Sequence, residues 1–241
     1  MNSIYHDIKL AAQKREKLLA VLIDSDKMEL EKVSGFLKKV NQSIATHIFV
    51  GGSTVEEFET ERIVVEIKKQ TELPVILFPG DVTQLTEEAD GLLFLSLISG
   101  RNPDYLIGKH VEAVSKLSKT NMEIIPTGYL LIENGKQTSV EGVSQTKPLS
   151  RDNVKLISDT AKAGELLGMK LIYLEAGSGA AHPIDSKIIS IIKNNLNIPL
   201  IVGGGIRSKQ ELEKAYKSGA DLVVIGTAFE ENENFFEELK K

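Results

Sequence analysis

Eight short apolar runs recur along the chain, each closing on small or polar residues. They are LLAVLID (18–24), THIFVGGS (46–53), LPVILFPGD (73–81), DGLLFLSL (90–97), MEIIPTGYL (122–130), KLIYLEAGSG (170–179), IPLIVGGGI (198–206) and DLVVIGTA (221–228). The apolar positions are continuous rather than alternating, which is the pattern of strands buried on both faces of a parallel sheet. From the first run to the last, the spacing averages about 29 residues, close to the ~30 of a strand–helix unit.

Between the runs, apolar residues fall at three- and four-residue spacing in MELEKVSGFLKKV, DNVKLISDTAKAGELLG, IDSKIISIIKNNL and SKQELEKAYKSG. These segments predict helices. Ser208 ahead of Glu211 reads as a capping box, and Gly219 stands where the following helix should stop. Buried strands alternating with helices predict an α/β fold, a (β/α)₈ TIM barrel built as one domain over residues 1–241. An open doubly wound sheet is the alternative.

Two segments depart from the repeat. Residues 54–73 make a fair helix, but FPGDVTQLTEEADG (78–91) is too short for a helix and two loops. The third helix is therefore predicted to be reduced or replaced by irregular chain. Conversely, residues 128–150 form a long insertion after the fifth strand, with an Asn134-Gly135 turn, and long loops at that end of a barrel commonly carry function.

Composition narrows the classes without changing this picture. The 241 residues carry 29 Lys+Arg against 34 Asp+Glu, a net charge of −5, with 41 % hydrophobic and 26 % charged residues. That is the profile of a globular protein. Mild acidity without a basic run argues against nucleic-acid binding. The absence of cysteine removes disulfides, thiolate metal sites and cysteine nucleophiles. The first residues are charged and amphipathic rather than signal-like, and no apolar run is long enough to span a membrane, so a soluble cytoplasmic protein is expected.

In such a barrel the chemistry lies at the C-terminal ends of the strands. The runs end in Asp24, Gly51-Gly52-Ser53, Pro79-Gly80-Asp81, Ser96, Gly128-Tyr129, Glu175, Gly203-Gly204-Gly205 and Gly226-Thr227. IVGGGIRS followed by VVIGTAF matches the phosphate grip formed after strands seven and eight of many barrels, where glycines let backbone N–H groups approach phosphate oxygens. Asp24 can ligate Mg²⁺, act as a base or cap a helix, and Ser53 can complete a hard oxygen site or cap its own helix. Glu175 reads as a general base, or as a hydrogen-bond partner for a substrate hydroxyl. The histidines His6, His47, His110 and His182 show no metal-ligand spacing; His47 is expected at the foot of a strand and His182 in a loop near Glu175.

Taken together, LIDSDK, FVGGS, GRNPDYLIGKH, TGYLLIENGK, YLEAGSG, VGGGIRS and VIGTA resemble the geranylgeranylglyceryl phosphate synthase family, which includes bacterial relatives making heptaprenylglyceryl phosphate. The resemblance runs from about Lys17 to Phe229, and YLEAGSG with the long insertion resembles the second of the family's two groups. It implies a prenyltransferase on a TIM barrel with a modified third helix. The reaction would join a polyprenyl diphosphate to the sn-3 hydroxyl of sn-glycerol-1-phosphate and release diphosphate.

The same resemblance implies Mg²⁺ on Asp24 and Ser53. It implies glycerol phosphate held by Tyr173, Leu174, Glu175, Ala176, Gly177, Ser178 and Gly179, with Gly204, Gly205, Gly226 and Thr227. Glu175 would accept the hydroxyl proton, and Phe78 and Leu97 would help line an apolar groove for the prenyl tail. Homo-oligomers, dimers or hexamers, are expected, as is transient membrane contact through the lipid product. Many members of the first group carry a lysine where this chain has Leu22, and Arg101, Lys27 and Arg207 are the cations that could compensate. An isomerase or synthase of the histidine or tryptophan pathway type shares the GGGI and IGTA loops and is the competing reading.

Overall fold

The structure is a computed structural model that describes residues 3–52, 58–232 and 234–241. Eight strands close a parallel barrel in sequence order: β1 (Leu18–Asp24), β2 (His47–Gly51), β3 (Val75–Leu77), β4 (Gly91–Leu97), β5 (Glu123–Leu131), β6 (Leu171–Glu175), β7 (Leu200–Gly203) and β8 (Leu222–Ile225). Pairing of Leu18 with Leu222 through Val21 with Ile225 joins the first strand to the last, so the open doubly wound alternative does not apply. The continuous apolar runs have a direct cause. Successive side chains on a strand point to opposite faces, and here both faces are dry. Ala20, Phe49, Ile76, Leu93, Ile125, Leu171, Ile201 and Val224 fill the barrel interior. Val21, Ile48, Val75, Leu92, Leu130, Ile172, Val202 and Val223 pack outward against the helices.

The helical layer comprises α1 (Ile4–Lys14), α2 (Leu30–Gln42), α3 (Glu59–Lys68), α4 (Lys109–Leu117), α5 (Ser139–Ser144), α6 (Val154–Leu166), α7 (Ser186–Asn195), α8 (Lys209–Ser218), α9 (Thr227–Glu231) and α10 (Phe235–Glu238). Helix α1 has no counterpart in the repeat. It closes the bottom of the barrel, burying Ile4 and Ile8 in the interior cluster, and Glu123 at the foot of β5 accepts hydrogen bonds from Ser3 and from the Ile4 and Tyr5 amides. His47 lies at the foot of β2 as expected, and burial holds its pKa down at about 4, so the ring is neutral.

After β3 the chain makes only a 3₁₀ turn, Val82–Gln84, in place of a third helix, as the short 78–91 segment predicts. The insertion after β5 is more ordered than a loop. Gly135 takes a positive φ of 81° at the Asn-Gly turn, and Thr138 and Glu141 form a reciprocal capping box that starts α5. At α8 the predicted box is half formed. Ser208 accepts from the Glu211 N–H, but the Glu211 carboxylate reaches the Arg207 N–H rather than that of Ser208, while Gly219 closes the helix at φ 115°. Among the described residues, no helix is long and apolar enough to cross a membrane.

Candidate active site

A single continuous cavity opens at the C-terminal ends of the strands, and its wall joins residues of every strand end except the part of the β2 loop outside the described residues. Glu175 ends β6. Because β6 alternates, Tyr173 and Glu175 face this cavity, whereas Leu174 and Ala176 turn outward into the helix-facing core. The side chains of those two residues are taken up by packing, so it is their backbone that lies along the loop.

The Glu175 carboxylate is 6 % exposed, yet none of the described residues gives it an ion-pair partner. Its Oε1 accepts a hydrogen bond from the Gly177 N–H at 2.6 Å. Burial in low dielectric disfavours the charged form and raises its pKa to about 7, with the Tyr173 hydroxyl and the Gly177 N–H pulling the other way. Tyr173 is fully buried, lacks a well-formed hydrogen bond at its hydroxyl, and is pushed well above the usual tyrosine range by burial and by the neighbouring carboxylate.

Glycines create the space around this carboxylate. A β-carbon on Gly203 would stand 2.4 Å from the Tyr173 hydroxyl oxygen and 2.7 Å from Glu175 Oε2. One on Gly204, at φ 83°, would stand 2.4 Å from Glu175 Oε1. At Gly204 the left-handed backbone and the Gly177 nitrogen, 2.8 Å from that β-carbon, demand glycine, while at Gly203 a side chain would displace Tyr173 and Glu175, so the GGG run does more than turn the chain. Three loops then converge: Gly177, Ser178 and Gly179 after β6, Gly204 and Gly205 after β7, and Gly226 and Thr227 after β8 all line the cavity. The Ser178 and Thr227 hydroxyl oxygens are 3.2 Å apart, linking the first loop to the third. Backbone N–H groups in such glycine-rich concavities are anion receptors.

Across the opening, Asp24 ends β1 and lines the cavity; its Oδ2 is 2.8 Å from Lys27 Nζ. Lys27 is also 3.5 Å from Glu230 on α9, a carboxylate that sequence reasoning passed over. Burial raises the Glu230 pKa, Lys27 lowers it, and the Asp24 charge raises it further. Its only sequence signal is its position in the helical turn after Gly226-Thr227. Asp24 and Glu230 are hard oxygen donors on one wall, which suits a cation bound by one or two carboxylates with water and substrate phosphates completing its shell. Ser53, the other expected ligand, lies outside the described residues, and no cluster of three or more ligating side chains occurs among those described.

The remaining wall is apolar. Phe78 stacks on Tyr173 at 5.3 Å between ring centroids, and Tyr129 lies 5.4 Å from Tyr173. From there the cavity crosses the sheet. Leu95 and Leu97 line it from the barrel interior, while Leu92, Phe94, Leu85 and Ala113 line it from outside β4. The crossing follows from the shortness of β3 and the absence of a helix after it, and it includes both Phe78 and Leu97 as expected. Asp81 and Lys109 pair at its edge. His110 belongs to the wall, with Nε2 3.1 Å from the Ser96 hydroxyl and its ring edge-on to Phe94; burial lowers its pKa and keeps it neutral. His182 is exposed and off this cavity.

A family model described as the PcrB family matches residues 12–241. A geranylgeranylglyceryl phosphate synthase from Flavobacterium johnsoniae is 54 % identical over 237 residues, covering 98 % of both chains. Among solved structures, (S)-3-O-geranylgeranylglyceryl phosphate synthase from Thermoplasma acidophilum, in complex with its substrate sn-glycerol-1-phosphate, superposes with a TM-score of 0.92 at 30 % identity over 99 % of this chain and 96 % of that one. A mutant tryptophan synthase α-subunit from Pyrococcus furiosus superposes at 0.54 with 15 % identity, covering 92 % and 94 %, a likeness of fold alone.

Proposed function

The chain belongs to the PcrB family, and from that membership and the geometry of the rim we propose that it is a prenyltransferase joining geranylgeranyl diphosphate, or a similar polyprenyl diphosphate, to the sn-3 hydroxyl of sn-glycerol-1-phosphate. The observation that carries the reading is the position of Glu175. A buried carboxylate with no counter-ion among the described residues stands between a three-loop anion receptor and an apolar groove.

The residues divide the work. The backbone of Gly177–Gly179, Gly204–Gly205 and Gly226–Thr227 receives the acceptor's phosphate, which places its glycerol hydroxyls against Glu175. The groove past Phe78, Leu97 and Phe94 receives the prenyl tail and excludes water from its allylic end. The hydroxyl oxygen attacks the allylic carbon as the carbon–oxygen bond to diphosphate breaks. Diphosphate leaves with the bonding electron pair, and Glu175 takes the hydroxyl proton. A pKa near 7 suits that proton transfer at neutral pH. The faces of Phe78, Tyr129 and Tyr173 can stabilise positive charge developing on the allylic carbon. Mg²⁺ held by Asp24 and Ser53, with the Glu230 carboxylate on the same wall as Asp24, would offset the charge growing on the departing diphosphate.

We place the enzyme in the cytoplasm as a homo-oligomer, a dimer or hexamer, whose lipid product brings it into transient membrane contact. In support of assembly, Ile107, Val111 and Val114 form an exposed apolar stripe at and along α4, at 59, 67 and 58 % exposure. The deciding experiment is product formation from geranylgeranyl diphosphate with each glycerol phosphate enantiomer, with Mg²⁺ and with chelator. Ether product with sn-glycerol-1-phosphate and Mg²⁺ alone is the expected result. No product from any prenyl diphosphate overturns the reading.

A further inference from the structure

The cavity carries three carboxylates on its wall: Glu175 beside the glycine loops, and Asp24 and Glu230 across the opening. A phosphate monoester entering there gains from the backbone N–H groups but approaches three carboxylates. Leu22, near the end of β1, lines the cavity and supplies no charge. Its Cβ lies 3.3 Å from where a β-carbon on Gly226 would stand, so it brings apolar surface to the receptor.

The structure separates the three cations that the sequence leaves open. Arg101 donates to the carbonyls of Ile98 and Gly100 and does not line the cavity. Lys27 stands between Asp24 and Glu230, so two carboxylates already share its charge. Arg207 follows the Gly203–Gly205 loop and does line the cavity. Its Nη1 donates to the Ala180 carbonyl at 2.7 Å, next to Ser178 and Gly179, and its Nε is 3.6 Å from Glu231. A guanidinium has five N–H donors, and these contacts leave several available. The other basic side chains on the wall, Lys109 and His110, belong to the apolar end with Asp81 and Ser96.

We propose that Arg207 is the cation that recognises the acceptor's phosphate, a substrate-positioning residue on the wall beside the glycine loops. It takes no part in proton transfer. Its anchoring on Ala180 fixes the guanidinium beside the loop that the phosphate must enter, and Glu231 is its weak resident counter-ion. The inference deepens the acceptor reading given above and rests on it.

Calorimetric titration of the full chain with sn-glycerol-1-phosphate, at several salt concentrations, tests it. Arg207→Gln keeps a donor for Ala180 but loses the charge. It should weaken binding roughly 10- to 100-fold, the range for a charge-assisted hydrogen bond, and flatten the salt dependence. Arg207→Lys should recover part of the loss. Glu231→Gln, which frees the guanidinium, should tighten binding a few-fold. KM for the prenyl diphosphate should stay unchanged in all three. Wild-type affinity in a folded Arg207→Gln variant overturns the assignment, as does unchanged affinity in Glu231→Gln. If the unaltered protein binds no glycerol phosphate, the acceptor reading itself falls and Arg207 with it.

Discussion

Glu175 and Gly177 are joined by a hydrogen bond from the Gly177 N–H to Glu175 Oε1 at 2.6 Å. The proton acceptor is thereby fastened to the loop that receives the phosphate, so one local turn sets the distance between the acceptor's anionic end and its reacting hydroxyl. A positioning error there would be felt in the rate more than in binding. The Glu175→Gln variant should keep the bond to Gly177 and lose the base. Its kcat should fall about 10²- to 10⁴-fold, the usual range for general-base removal, with KM for glycerol phosphate changed little. Steady-state kinetics check both.

The raised pKa of Glu175 makes a pH prediction with a definite sign. The base form exists above about 7, so kcat/KM for the acceptor should climb as pH rises through about 7 and then level. Stability should run the other way. The folded state holds this proton more tightly than an unfolded chain with an ordinary carboxyl, so the contribution is full below about 4.5 and is lost as pH rises toward about 7. Denaturant unfolding of wild type and Glu175→Gln over that range should show a steeper fall in the wild type than in the variant.

Gly204→Ala should damage the site from the backbone side. Its β-carbon would fall 2.4 Å from Glu175 Oε1, and φ is 83°. A strained non-glycine residue at such a φ costs of order 1–3 kcal/mol. The variant should melt at a lower temperature and lose acceptor affinity together, measured by thermal unfolding and by titration with sn-glycerol-1-phosphate.

Asp24→Asn should raise the Mg²⁺ concentration needed for half-maximal turnover by roughly ten-fold or more, since a hard cation loses an anionic oxygen. Chelator should abolish turnover in the wild type and be reversed by added Mg²⁺. An unchanged metal requirement in Asp24→Asn would remove this residue from the metal site.

Ala113→Trp should fill the part of the groove that lies outside β4, in the space left by the reduced third helix. The ratio of kcat/KM for farnesyl over geranylgeranyl diphosphate should rise, because the shorter tail no longer needs that space. Equal losses for both substrates would mean that the tail runs elsewhere.

The hydrophobic pattern alone reached the architecture. Continuous apolar runs at a regular interval require strands buried on two faces, and the shortness of 78–91 leaves no chain for a third helix, so both follow from local composition and length. Glu175 and the glycine loops were legible for a similar reason: a charge or a glycine at a strand end stands out against an apolar run. Which side chains of residues 173–176 face the cavity was less legible, because a motif names consecutive residues, whereas a strand sends alternate side chains to opposite faces.

What the sequence could not determine is whatever depends on residues brought together from distant points. Glu230 matters only because barrel closure sets α9 beside β1, which places it 3.5 Å from Lys27. Arg207 is distinguished from Arg101 and Lys27 only by which carbonyls and carboxylates already hold each one. The crossing of the groove from inside to outside β4 exists only because β3 is short where its neighbours are long. Periodicity records which face of an element is buried, and that is a local property of the chain. Electrostatic pairing and cavity shape are properties of neighbours in space, and only the closed barrel decides those.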